Sequence, residues 1–325
     1  MMKFSKPALS PQRLIELMGQ RGLPLAAPGD LEVARHALRR IGYFRLSGFM
    51  IPFVHAAGAL RHQFKAGATI SHIVDLHDFD AGLRTLCMEA LGHIEVAIRV
   101  STCDHLARTH GPHWPLSSKP FKPGQHAPNL KALADSVHFD LDRQQPRGKS
   151  NDRPTFLERY YAKYTHPSTR MPPGWMVAEC STFRTWAFLF DALMASEQKQ
   201  ISDAWRFPSG KRIDHAILGS WLHSLSILRN RCAHHSRIIH KAFPFPPSAP
   251  KDPSVASLMT GSRTDLRTLI VVMVLLIRSI DAASTWPRKL FKFFEGHVTR
   301  VDINAAVGFR AQGLADWRSD PLWSV

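Results

Sequence analysis

In "SWLHSLSILRNRCAHHSR", residues 220–237, an arginine, an asparagine and a histidine follow closely as Arg229, Asn230 and His234. Those three groups suit chemistry at an RNA phosphodiester. An imidazole can move a proton to or from the attacking 2′-hydroxyl or the leaving 5′-oxygen. A guanidinium can stabilise a doubly charged phosphorane, and an amide can orient the phosphate or the imidazole. That route requires no metal.

The stretch reads as a helix with a core side and a chemical side. At 100° per residue, Trp221, Leu225, Leu228 and Cys232 form one apolar stripe. His223, Ser226, Asn230, His234, Arg237 and Lys241 form another, roughly opposite. Of the two adjacent histidines, His234 falls one turn after Asn230, whereas His235 falls seven residues after Leu228 and is expected on the packed side. Arg229 sits at the edge, where its long side chain could lean across to an anion held by the polar stripe. Arg237 and Lys241 are candidates for gripping the flanking RNA backbone.

An arginine followed at this range by a histidine is common by chance at this composition, so only context lifts the pattern. Arg108/His113 and Arg159/His166 sit in loop-like or polar settings and are assigned no role. Arg99/His105 lies on a long helical pattern beside Glu95, four residues before Arg99. That spacing fits a surface salt bridge; the alternative is that Glu95, Arg99 and His105 face the Arg229/His234 helix and help shape its site.

The elements that must position these groups are helical. Ser10-Pro11 looks like an N-cap and first position, with Leu14, Ile15 and Met18 on the apolar face. Asp30 is expected to cap a second helix ending near Gly42. "GYFRLSGFMIPF" could be a hairpin arm or an irregular connection. From Thr69, apolar residues from Ile73 to Ile98 recur at spacings of three and four, predicting one long helix or two collinear ones. Helical patterns return at "PTFLERYYAKY", at "WMVAECSTFRTWAFLFDALM", from about Asp214 to Lys241, from about Asp265 to Ile280, and at "RKLFKFF". Sustained strand alternation and solenoid repeats are missing. The expected class is therefore mostly or wholly α, with a helical or irregular segment at 1–68, a main helical domain at 69–300 and a C-terminal tail at 301–325. Residues 115–155, rich in proline and polar residues with one modest helical window, are the expected flexible insertion.

With 325 residues and 44% apolar composition, the chain can build a sizeable core. Lys plus Arg number 42 against 26 for Asp plus Glu, a net charge of +16, and arginine outnumbers lysine 28 to 14. Such an excess favours a polyanion partner, and arginine suits bidentate phosphate contacts. Four scattered cysteines form no CxxC pair, which points to neither a disulfide framework nor a cysteine zinc site and fits a reducing cytoplasm. No signal-peptide core is evident, and "LIVVMVLLI", Leu269 to Ile277, is too short to cross a bilayer. It reads as a buried helix.

Several ordered motifs, "IGYFRLSGFMIPF", "ISHIVDLHDFDAGLRTLCMEALGHIEVAIRV", "HGPHW", "PPGWMVAECSTF", "SWLHSLSILRNRCAHHSR" and "DWRSDPLW", resemble the Abi-like family of bacterial abortive-infection proteins of the AbiD/AbiF type, within the HEPN superfamily of helical RNases. The superfamily's pattern of an arginine, a polar residue, three further residues and a histidine falls on Arg229, Asn230 and His234. The resemblance implies a HEPN-like helical bundle and metal-independent RNA cleavage leaving a 2′,3′-cyclic phosphate and a 5′-hydroxyl. It also implies a site often composed across a homodimer. One departure is visible: where the resemblance leads one to expect an aromatic, an asparagine and an arginine, this chain has Ile239, His240 and Lys241.

The leading expectation is a cytoplasmic, toxin-like RNA endonuclease in phage defence, without cofactor or membrane partner. The alternative is a non-catalytic RNA-binding protein that holds a structured or antitoxin-like small RNA. A protein-interaction scaffold with incidental histidines ranks last.

Overall fold

The computed structural model describes residues 7–25, 27–144, 154–164, 171–259, 263–309 and 316–324. Among them the fold is all-α, with isolated bridges but no sheet. The helices are α1 (Pro11–Gln20), α2 (Pro28–Arg40), α3 (Tyr43–Met50), α4 (Ile70–His110), α5 (His126–Gln144), α6 (Phe156–Lys163) and α7 (Gly174–Cys180). Beyond them come α8 (Phe183–Ala192), α9 (Ala195–Ser202), α10 (His215–Ala233), α11 (Pro253–Ala256), α12 (Leu266–Ile280), α13 (Trp286–Glu295) and α14 (Ile303–Val307).

The long helix α4 is the spine. Thr69 caps it by accepting from the amide of His72, and Gly111, at φ 84°, ends it, so the two collinear segments are one 41-residue helix. Helices α2, α3, α7, α8, α9, α10 and α12 all pack on it. Burial on several sides explains why α4 has apolar residues around most of its circumference rather than in a single stripe. The helices before residue 69 share one apolar core with the rest.

Local chemistry accounts for the ends. Ser10 caps α1 with proline at the first position. Helix α2 starts at Pro28, so Asp30 lies in its first turn rather than at its cap. "GYFRLSGFMIPF" is helical, not extended: Gly42, at φ 81°, makes the turn that a side chain would resist, and α3 then buries Leu46, Phe49 and Met50. Thr155 and Glu158 close a capping box on α6.

Within the expected insertion, α5 buries Leu133 and Val137 against the core; residues 145–153 lie outside the described residues. Helix α12 is buried from Leu266 to Ile277. Inside it Arg267 makes two parallel hydrogen bonds to Asp320, at 2.7 and 2.8 Å, which tie residues 316–324 to the core.

Candidate functional site

Helix α10 begins at an Asp214 cap and ends earlier than its periodicity predicts, at Ala233 rather than near Lys241. The stop is a backbone device. The amide of Ser236 donates to the carbonyl of Arg231 (2.8 Å) and that of His235 to Cys232 (3.0 Å), the paired bonds of a Schellman turn. His235 occupies the left-handed position, φ 53°, where glycine is usual. His235 is therefore exposed, not packed; its structural role is carried by its backbone. His234 is the C-cap residue and is also exposed. Ser226, expected on the polar stripe, is buried and donates to the carbonyl of His223. The accessible stripe runs instead through Ser220, His223, Ile227, Asn230 and His234.

Two groups outside the motif, Asp80 and Arg45, bond to this turn, and Arg237 within it reaches outward. Asp80, fully buried on α4, accepts from the amides of Ile238 (2.9 Å) and Ile239 (3.1 Å) and pairs with Arg84 one turn along. Arg45 of α3 donates to the carbonyl of His235. Arg237 donates to the carbonyl of Gly48 and lies over the ring of Phe49 at 5.8 Å, so it is engaged with α3 rather than extending a stripe of α10. Burial lowers the pKa of Arg84 and of Arg237, and the charge of Arg237, ahead of burial, lowers that of Lys241. Lys241 itself is exposed.

Arg229 turns the other way, toward α4. Its Nε lies 3.7 Å from Glu95 Oε2, while the other carboxylate oxygen of Glu95 accepts from Arg99. Arg99 also donates to the carbonyl of Ser181, just ahead of α8. Glu95 and Arg99 are thus not a solvent-exposed pair. They stand between α4, α8 and α10 and fix where the Arg229 guanidinium lies. One carboxylate serves two guanidiniums, and the Nε of Arg99 and of Arg229 are both buried without a hydrogen-bond partner. The cluster has an excess of positive charge over the single carboxylate.

His105 is not brought to this cluster. Its Nε2 is 2.5 Å from Glu197 on α9, whose other oxygen lies 3.1 Å from His110. His105 instead borders a cavity of about 740 Å³ with Val96, Val100, Trp205 and Ile280. Cys232 faces the core: the Cys87 thiol is pushed up by its hydrogen bond to Cys232 and then by burial. Among the described residues, no group of three His, Cys, Asp or Glu side chains is close enough together to hold a metal ion. No described helix is long and apolar enough to cross a membrane.

Asp80, Arg84 and Arg45 escape sequence reasoning. Asp80 and Arg84 stand four apart and look like any helical ion pair; their signal is that both fall among the apolar positions of α4.

The fold and site define a class: an all-α protein whose basic, histidine-bearing helix end is held against a central helix. A family model for Abi-like proteins matches residues 36–240, and the chain belongs to that family. Membership points to abortive infection, a defence against phage, as the biological setting. The match spans α3, α4 and α10 and stops at His240, so it includes every element that shapes the site. A search of curated proteins and a search of solved structures each gave no match.

Proposed function

We propose that this protein is a HEPN-type, metal-independent RNA endonuclease, acting as a toxin-like effector in abortive infection. The observation that carries the reading is that α10 carries an accessible imidazole, His234, about one turn beyond Arg229, whose guanidinium shares the Glu95 carboxylate with Arg99 in a cluster of net positive charge. An anionic phosphate would suit that excess of positive charge.

In the proposed reaction the 2′-oxygen bonds to phosphorus as the P–O5′ bond breaks. His234 acts as general acid or base, taking the proton of the 2′-hydroxyl or giving one to the 5′-oxygen. Arg229 stabilises the phosphorane charge and Asn230 positions the phosphate or the imidazole. The products are a 2′,3′-cyclic phosphate and a 5′-hydroxyl. Glu95 and Arg99 are positioning residues, acting through Arg229. Lys241 holds the flanking backbone, and Arg237, tied to α3, shapes the turn and contributes charge. A homodimer bringing two α10 ends together would supply both a proton donor and a proton acceptor. The working compartment is the cytoplasm.

The test uses purified protein and its His234→Ala variant with total bacterial RNA in EDTA, with new 5′-hydroxyl and cyclic-phosphate ends mapped. Cutting by the wild type alone supports the reading. If neither cuts while both hold RNA in a salt-sensitive manner, the protein is a non-catalytic RNA-binding module instead.

A further inference from the structure

Eleven residues before His234 on the same accessible stripe of α10, about 16 Å along the axis at 1.5 Å per residue, His223 stands between two exposed rings. Its imidazole meets Phe188 of α8 at 5.4 Å between centroids and Phe245 of the following segment at 4.6 Å, both edge to face. Phe188 is 44% exposed and Phe245 50%. Arg184, one turn before Phe188, lies over its ring at 5.1 Å. We propose that Phe188, His223 and Phe245 form a base-stacking platform for single-stranded RNA, extending the proposed site along α10; the inference rests on the RNA reading above.

Helix α8 joins the platform to the site. Near the start of α10, Gly219 faces Phe190 and Asp191, close to the end of α8. Ser181, ahead of α8, accepts from Arg99, the partner of Glu95 and through it of Arg229. The two helices therefore run antiparallel, and the exposed Arg184 falls between the Arg229 cluster and Phe188. A strand with one phosphate at His234 would pass this guanidinium before its bases reach the rings.

The rings are held in place. Ser224 donates to the carbonyl of Phe245 at 2.8 Å, Trp221 Nε1 to that of Ser248 at 2.8 Å, and the Ser248 amide to Ser220 at 2.9 Å. This segment is stitched to α10 at Phe245 itself and three residues beyond it, so the backbone that carries the exposed ring is held. Beside Phe188 lies a cavity of about 360 Å³ whose walls include Lys122, Gln125 and Asp191. These side chains bring a cation, an amide and a carboxylate, groups that can meet a phosphate and the edge of a base.

Exposed aromatic rings beside arginine and lysine suit bases and their phosphates better than a purely apolar partner surface would. The net charge of +16 favours a polyanion as well. Stacking tolerates any base, so the platform would add affinity and register without fixing a sequence.

The experiment measures binding of a short unstructured RNA, fluorescently labelled, to the full chain carrying His234→Ala, with and without Phe188→Leu plus Phe245→Leu. The leucines keep apolar bulk and remove the rings. The same RNA with abasic sites is the second probe, and circular dichroism and sedimentation check fold and oligomer. Expected is a loss of roughly tenfold to a hundredfold in affinity, an unchanged salt slope, and a much smaller loss on abasic RNA. Equal affinity in a protein that binds and, as wild type, cuts RNA overturns the platform alone. Dissociation of an oligomer by the leucines also overturns it, since the rings would then cover a protein interface. Absence of any RNA binding overturns both the platform and the RNA reading.

Discussion

Glu95 of α4 and Arg229 of α10 meet across a helix interface, Oε2 to Nε at 3.7 Å, and the same carboxylate holds Arg99. Removing the carboxylate's charge would leave two partly buried guanidiniums facing each other. Under the nuclease reading, Glu95→Gln should lower RNA cleavage by about tenfold to a hundredfold, equivalent to about 1.4–2.8 kcal/mol of transition-state stabilisation. A Glu95→Asp variant, keeping the charge on a shorter stem, should recover part of it. Single-turnover cleavage rates decide the matter, and equal rates in wild type and Glu95→Gln would show that Glu95 does not position Arg229.

The adjacent histidines should separate cleanly. His234→Ala removes the proposed proton-transfer group and should cost roughly 10²–10⁴ in rate. His235→Gly should leave the rate within about twofold and hold or raise stability by up to about 1 kcal/mol, because glycine adopts the left-handed φ of that position without the steric cost. A His235→Gly protein as inactive as His234→Ala would refute the division of roles.

Much of α10 was legible in residues 220–237, and what was not has a physical cause. Apolar spacing alone predicted α10, its buried Trp221, Leu225, Leu228 and Cys232, and the outward course of His223, Asn230 and His234. The end of α10 was hidden because its Schellman turn uses histidine at the left-handed position in place of the glycine or asparagine that usually marks one. Once the helix stops, wheel positions beyond Ala233 lose meaning, which is why Arg237 reaches α3. Glu95 and Arg99 showed only their mutual spacing; that they face Arg229 depends on how α4 and α10 cross, a tertiary fact. The same holds for His105, whose partner Glu197 comes from α9. "GYFRLSGFMIPF" misled because aromatic residues and glycines disfavour helix locally, a preference outweighed by burying Leu46, Phe49 and Met50.

Because His105 is paired with Glu197 away from the Arg229 cluster, His105→Gln should keep the RNA cleavage rate within about threefold of wild type. Its effect should appear in thermal unfolding, through the lost contact with Glu197. A hundredfold drop in rate with an unchanged melting temperature would instead make His105 part of the chemistry.

Asp80 carries the turn that follows His234. Asp80→Ala would strand Arg84 and the amides of Ile238 and Ile239 in the interior, and should destabilise the fold by about 3–5 kcal/mol, as breaking a buried pair does. Asp80→Asn keeps an acceptor for the two amides and should cost less. Urea denaturation measures both, and near-wild-type stability of Asp80→Ala would mean the turn is held by other contacts.

Stability should fall in mild acid. His77, packed edge-on to Phe49, and His240 both have pKa values lowered chiefly by burial. At His77 the hydrogen bond and charge of Asp78 oppose that shift, while Arg40 and Arg45 add to it. At His240 Arg237 adds to it and Asp302 opposes it. Between its lowered folded value and about 6.5 in the unfolded chain, each imidazole binds more protons when unfolded, so stability rises with pH across that window. It is complete above about 6.5 and drains away as pH falls through the folded values. The urea midpoint should therefore drop between roughly pH 7.5 and pH 5, and drop less in His240→Asn, whose asparagine tolerates the φ of 49° at this position. A midpoint that is flat over that range in the wild type, or a slope unaltered in His240→Asn, would show that neither burial nor Arg237 sets the charge state of His240.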